Sequence, residues 1–350
     1  MEQLRSSTLV QTYRFDCDRF LSFHVTEEGA ERSELNLSVL QRIFGRTLIG
    51  VAERRWNQSC YRALIDASSP DEIDYLREYE VDELVGIAQC VNLANLLNRL
   101  RRKEPPRFII KPAVIAPVDL VEGLADTYEA YQLEPESIVF DVLWIRPLEK
   151  GTYSVSIIDI RLAENPSLAH RMELSLQALA LRRVLEANDL AGRYSVSEHG
   201  YIWPGSHEPD RFASLIKNYQ SAADPIGEAL TETLVPVRTE TYSRRVLDLL
   251  TCRLPSVLKA GFENSRWHLG TRCLGCDFFP ICLGEARKTD DLSRIPFLSR
   301  SQADVLRNNG IKQVSRLSEL EKRDDSALSE IFRSDYRLQI DEKRIPARIK

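Results

Sequence analysis

The chain has no run of 18 apolar residues free of charge and no charged-then-apolar leader, so neither a membrane-spanning helix nor an export signal is expected. A cytoplasmic location, away from any membrane, is the expectation. Positive charge is not in excess either. Lys and Arg number 47 against 52 Asp and Glu, a formal net charge of −5, which excludes a uniformly basic nucleic-acid binder but leaves room for a local basic channel beside a carboxylate site. There is no internal repeat and no low-complexity stretch, which sets aside solenoids and biased linkers. With 350 residues, one large domain and an appendage are expected.

What the sequence does have is seven cysteines. A reducing compartment argues against a disulfide framework, so their spacing is read first as metal ligation. Cys273, Cys276 and Cys282 form a C-x2-C-x5-C run, with Gly275 easing the turn between the first two. A metal centre asks for four protein ligands, so a fourth must come from elsewhere. Cys17 is the choice: it stands at the start of a predicted helix, where the helix dipole favours a thiolate, and ligation there would staple the two ends of the domain. Four thiolates also suit zinc. Cys60, Cys90 and Cys252 read as small core residues.

An early Cys followed by a distant C-x2-C-x5-C, with Trp267 shortly before the run and Phe278 and Phe279 inside it, resembles the iron–sulfur nucleases of the RecB-like, PD-(D/E)XK superfamily. The resemblance covers most of residues 8–285. It implies a four-iron, four-sulfur ([4Fe-4S]) cluster clamping a nuclease domain.

Residues 137–146 and the run from Tyr153 to Leu162 are rich in β-branched and aromatic residues, and Pro147 to Gly151 supply a turn, so a β-hairpin is predicted. Alternation puts Asp159 and Arg161 on one face, with Asp141 opposite on the partner strand. Carboxylates inside apolar strands need a partner or a cation, and Mg2+ or Mn2+ would satisfy both. The bland alternative is a surface ion pair worth under about 1 kcal/mol. Phe-Asp141-Val-Leu, then a hairpin, then Ile-Asp159-Ile-Arg161 resembles the superfamily's D…(D/E)-x-K motif, in which the acids bind metal and the lysine assists the attacking water. Arg161 stands at the lysine position and, unlike lysine, cannot be deprotonated.

Periodicity predicts a helix over 168–187 that carries His170, Glu173 and Gln177 on one stripe. The stripe resembles the superfamily's H-x-x-Q-x-x-x-Y, with Glu173 and Gln177 in place of Gln and Tyr. Gly50 to Glu53 resembles a G-x-x-E motif whose acid reaches the metal, opening a helix to Leu64. His24 ranks below Glu53, because Phe20, Leu21, Phe23 and Val25 around it suggest packing.

Elsewhere, residues 70–103 read as helical and end in Arg101, Arg102 and Lys103, which with Arg42, Arg46, Arg54 and Arg55 are candidates for phosphate contact. Residues 107–118 read as a strand, 119–136 as a link with a short helix, and a further strand is expected near Tyr194 or Gly200 to Trp203. Helices follow around Arg211 to Ser221 and Arg244 to Leu258. Residues 295–317 read as two short helices joined at Asn309 and Gly310, which resembles a helix–hairpin–helix module with Phe297 at the hairpin's usual glycine. The basic end, Lys343 to Lys350, leaves open whether a longer protein continues.

The expected architecture is therefore α/β, with a restriction-endonuclease-like (PD-(D/E)XK) core, added helices, an Fe–S clamp and a small α-helical C-terminal module. The expected domains are 1–289 (helical insertion about 70–104, core about 107–203, cluster loop 273–282) and 290–350. The expected function is that of a divalent-metal-dependent deoxyribonuclease acting on single strands or ends of DNA, in repair, processing or defence alongside a helicase or other proteins. Asp141, Asp159 and Glu53 or Glu173 would hold the metal and Arg161 would stabilise developing charge. The departures at Arg161, Glu173 and Gln177 support a competing reading, a degenerate nuclease fold kept for DNA binding or scaffolding. A zinc-stapled interaction module is the third.

Overall fold

The computed structural model describes residues 6–36, 39–75, 91–117, 119–133 and 137–323. Cys90, the side chains of Arg42 and Arg46, and the tail Lys343 to Lys350 lie outside the described residues. In chain order the described helices are α1 (Ser6–Phe15), α2 (Asp18–Val25), α3 (Glu27–Asn36), α4 (Val39–Ala67), α5 (Leu93–Leu100), α6 (Leu124–Ala130), α7 (Leu168–Ala187), α8 (Pro209–Asn218), α9 (Pro225–Thr233), α10 (Glu240–Asp248), α11 (Leu254–Ala260), α12 (Phe279–Thr289), α13 (Arg300–Asn308) and α14 (Val314–Arg323). The strands are β1 (Ile73–Asp74), β2 (Phe108–Ile110), β3 (Ala113–Ile115), β4 (Ser137–Val139), β5 (Val142–Pro147), β6 (Tyr153–Arg161), β7 (Tyr194–Val196), β8 (His199–Pro204) and β9 (Val235–Arg238). The chain divides into two compact units, Met1–Arg14 with Val39–Ala260, and Phe15–Ser38 with Gly261–Lys350.

The first unit is α/β around a mixed sheet ordered β1-β2-β5-β6-β8-β9, with β7 also beside β6. The predicted hairpin is its centre: Val142 pairs with Ile158 and Pro147 with Tyr153, antiparallel. After the hairpin comes α7, over the predicted residues, and then β7 and β8, both parallel to β6. α7 starts where Ser167 accepts from the His170 N–H and the His170 ring accepts from the Ser167 N–H, a reciprocal cap. Pro209 and Pro225 open α8 and α9 at positions where a missing N–H costs nothing.

Strand alternation splits the core into two layers. Leu143, Ile145 and Ile157 pack with Leu96 and Leu100 of α5 and Leu174 and Leu181 of α7. Val142, Trp144, Ile158 and Ile160 pack on the other face with Tyr61 and Leu64 of α4, Phe212 of α8 and Leu230 of α9. Both faces of β6 are thus covered, and Val155 through Ile160 are all buried.

Several expectations are corrected. Asp141 is not on a strand of the hairpin: β4 ends at Val139 and pairs with β3 in a separate two-stranded sheet, and β5 begins at Val142. Residues 107–118 are two strands, broken where Lys111 takes a positive φ of 50°. Glu53 lies inside α4, which begins at Val39, well before Gly50. Of the stretch 70–103, Ile73 and Asp74 are strand and only Leu93–Leu100 is helix among the described residues. α9 and β9 carry no prior expectation. Cys60 is buried as expected, whereas Cys252 is exposed, on the π-helical segment Leu249–Arg253 between α10 and α11.

In the second unit, Phe15, Phe20 and Phe23 pack with Phe262 and Phe278, and the Phe23 and Phe278 rings stack at 4.0 Å between centroids. This aromatic packing joins Cys17 to the cysteine run, and the compact unit that holds both takes in the chain from Gly261 onward, the two-helix module included. The module has its own small core, including Leu298, Leu306, Ile311 and Leu317. α13 begins with a capping box between Ser299 and Gln302. It ends in a Schellman turn, with Gly310 at φ 81° and the Ile311 N–H donating to the Leu306 carbonyl.

Phe297, in the turn before α13, is 72% exposed and holds a φ of 64°, a glycine-like conformation that costs other residues roughly 1–2 kcal/mol. Phe297→Gly is predicted to raise stability by about 1 kcal/mol in urea denaturation. A loss of stability would mean that the ring's contacts outweigh its backbone strain.

Candidate functional site

Two sites stand out, one in each unit. In the first, β6 delivers Asp159 and Arg161 to the face covered by α7. Asp159 is 1% exposed. The Arg161 Nε donates to Asp159 Oδ2 at 2.6 Å, and its Nη2 lies 2.8 Å from Glu173 Oε2 on α7. The guanidinium thus bridges strand and helix between two carboxylates. Burial works against its charge, but Asp159 and Glu173 more than compensate and push its pKa further up, so Arg161 stays a cation.

Asp141 closes the group from the neighbouring chain segment. Its Oδ2 accepts from the Ile160 N–H at 2.7 Å, and its Oδ1 accepts from the Tyr61 hydroxyl at 2.9 Å. Tyr61, on α4, is fully buried, and burial together with the Asp141 charge pushes its hydroxyl well above the ordinary phenol value. Sequence reading passed over Tyr61 because a phenol beside Cys60 and Leu64 looks like core. The signal was there, since a buried tyrosine needs a partner for its hydroxyl.

The remaining candidates fall as follows. Gln177 is buried one turn after Glu173. Its amide nitrogen donates to the Val139 carbonyl at 3.2 Å, and its Oε1 is buried with no hydrogen-bond partner among the described residues. His170 serves the cap of α7. Burial and the Arg161 and Arg14 charges push it down to about 4, so it is neutral at physiological pH. Glu53 is exposed and precedes Tyr61 by eight residues, about 12 Å along the helix axis, so on α4 it is Tyr61 that reaches Asp141. His24 packs edge-on against Phe20 and Phe278 in the second unit. Asp141, Asp159, Arg161 and Glu173 are therefore gathered together, and Glu53 is not.

The second site is a cavity lined by all four expected cysteines, Cys17, Cys273, Cys276 and Cys282, within walls that include Phe20, Phe23, Trp267 and Phe278. Cys17 is the N-cap residue of α2, and Cys276 follows a 3₁₀ turn in which its N–H donates to the Cys273 carbonyl at 2.9 Å. Burial pushes the Cys276 thiol up to about 12, and the charges of Cys17 and Cys273 add to the rise. The thiols of Cys17 and Cys282 are raised in the same way. Without a metal these thiols hold their protons, so ligation would have to release them.

Among the described residues, no three of His, Cys, Asp and Glu converge closely enough to grip a single metal ion. At the cysteines the cavity is partly open to solvent. At the acidic group the enclosed cation is Arg161 itself. The chain matches no family model, no curated protein and no solved structure.

Asp159 carries the pH dependence of this site. Burial pushes its carboxyl up to about 8, against the pull of Arg161 and with the repulsion of Glu173 and Asp141. An unfolded Asp titrates near 3.9. Between those values the folded chain holds a proton that the unfolded chain has lost, so stability falls as pH rises from about 4 to about 8 and levels off above. Asp159→Asn is predicted to gain stability relative to wild type from about pH 5 to about pH 8 in urea denaturation. A difference independent of pH would mean that Asp159 is ionised throughout, paired with Arg161.

Proposed function

We propose that this chain is a DNA-handling protein of the RecB-like, restriction-endonuclease-like type, that it carries a [4Fe-4S] cluster on Cys17, Cys273, Cys276 and Cys282, and that its acidic site is closed by its own arginine. The fold is consistent with this reading: an antiparallel hairpin, a helix across it and a parallel returning strand are what the resemblance asks of the core. One observation carries it. Arg161, at the position the resemblance gives to the motif's lysine, bridges Asp159 and Glu173, the carboxylates that would otherwise be free to hold a divalent cation.

A closed site of this kind keeps the fold while withholding the chemistry. Lysine in that position is a point charge that can shift its pKa and poise a water, whereas arginine is a fixed fork that locks onto carboxylates. Asp141 is held by Tyr61 and the Ile160 N–H, and the ring of His170 is committed to the helix cap. DNA contact then falls to the exposed Arg54, Arg55, Arg101, Arg102 and Lys103, whose charges would neutralise phosphates without reading sequence.

For the cluster, the cavity offers four thiols and aromatic walls. A bound cluster would supply covalent cross-links between segments far apart in sequence, which is a structural role.

A second reading, metal-dependent cleavage, is favoured by the 30% exposure of the Arg161 side chain, which gives the guanidinium a way out. Asp141, Asp159 and Glu173 would then hold magnesium or manganese, which would activate water and neutralise the phosphate.

End-labelled single-stranded and duplex DNA, incubated with magnesium or manganese and anaerobically prepared protein, separates the two. Binding without cleavage is expected from wild type, and Arg161→Lys is expected to gain cleavage that a second change, Asp159→Ala, abolishes. Cleavage by wild type that Asp159→Ala removes would establish the second reading. Replacing Arg101, Arg102 and Lys103 with alanine is predicted to flatten the dependence of log affinity on log salt by about 2–3 units of slope. An unchanged slope would place the DNA elsewhere.

A further inference from the structure

Arg19 is the most thoroughly buried cation among the described residues, at 1% exposure, two positions after Cys17 in α2. Its Nη1 donates to Glu285 Oε2 at 2.5 Å and its Nε to Ser265 Oγ at 3.3 Å. The guanidinium carbon lies 4.7 Å from the centroid of Phe262 and 4.6 Å from that of Trp267, and Trp267 is a wall of the cysteine cavity. Burying a guanidinium costs several kcal/mol unless opposite charge compensates it. Glu285 is an incomplete answer, because its side chain is 23% exposed and part of its field is spent on solvent. A further source of negative charge would be the cavity, once its thiols were ligated. Four thiolates around an iron–sulfur core, or around zinc, make a net anion.

We propose that Arg19 is the fixed counter-charge of that anionic centre, standing outside the ligand shell behind Trp267, where it lengthens the lifetime of the cluster and raises its reduction potential. The proposal rests on the four-cysteine cluster reading given above. The geometry suits an electrostatic role, since Arg19 is no ligand and its planar group is clamped by two ring faces, a serine and a carboxylate. Net charge around a cluster and the hydrogen bonds near its sulfurs are what tune its potential.

A purely structural Arg19–Glu285 pair makes a different forecast, and two opposed variants discriminate. The full chain is loaded anaerobically with equal ferrous and ferric iron and with sulfide, and the visible absorption, the rate of its loss to a chelator and the midpoint potential are followed. Arg19→Gln is expected to lose the cluster about tenfold faster than wild type and to shift the potential downward. Glu285→Gln removes the charge that competes for Arg19, and is expected to retain the cluster and shift the potential upward. Faster loss in both variants without opposite shifts in potential would reduce the pair to a structural tie and overturn the proposal. Should Arg19→Gln fail to fold, the sign for Glu285→Gln decides alone, and a downward or absent shift overturns it. A wild-type chain that takes up zinc but no iron–sulfur cluster would sink the cluster reading while leaving this one standing, provided Arg19→Gln still loses zinc faster. Equal zinc retention, or no metal uptake at all, would end it.

Discussion

The antiparallel pairing of Val142–Pro147 with Tyr153–Arg161 is the constraint from which the first unit follows. Its register fixes which residues of β6 face α7 and which face α4. A slip of one residue would exchange Ile157 and Asp159 with Ile158 and Ile160, moving a carboxylate into the layer of Trp144 and Phe212. Both faces are buried, so neither arrangement can hide the charge in solvent. The observed register is tolerable because α7 brings Glu173 and β6 brings Arg161, and the three ionisable groups compensate one another. Removing the arginine from such a buried set, and so leaving carboxylates without their cation, costs about 3–5 kcal/mol. The acidic site is thus coupled to the hairpin as much as the hairpin is to the site.

What could be read in the sequence divides along the same physical lines. The hairpin and α7 were legible because periodicity reports burial directly: two runs of β-branched residues and a long stripe of leucines and alanines admit few other readings. The cysteine run was legible because its spacing is local, and Cys17 because it heads a helix. The position of Asp141 was misread. Phe140 continues the apolar run of 137–146, and nothing in that run shows that residues 137–139 pair with β3 while β5 starts afresh at Val142. The start of α4 was misread because Gly50 looked like a boundary, although glycine within a 29-residue helix carries only a modest penalty. Cys252 was misread because a π-helical segment turns side chains away from the stripe that α-helical periodicity assigns. Tyr61 and Arg19 were invisible for a deeper reason. Their roles are set by partners 80 and 266 positions away, and no local pattern encodes such a pairing.

The two sites treat buried charge in opposite ways. Around Asp159 the protein encloses its own cation, so the site is electrostatically complete as it stands. Around Cys17 it encloses thiols that burial keeps protonated, with a guanidinium over the Trp267 ring, and under the cluster proposal a centre of net negative charge would replace the thiol protons. A divalent ion at Asp159 must displace a guanidinium bonded to two carboxylates, and it gains only the difference between two cation sites. A metal centre at the cysteines would compete with protons alone and, as proposed, gain the field of Arg19. Under the proposed reading, affinity for metal is therefore expected to be concentrated at the cysteines.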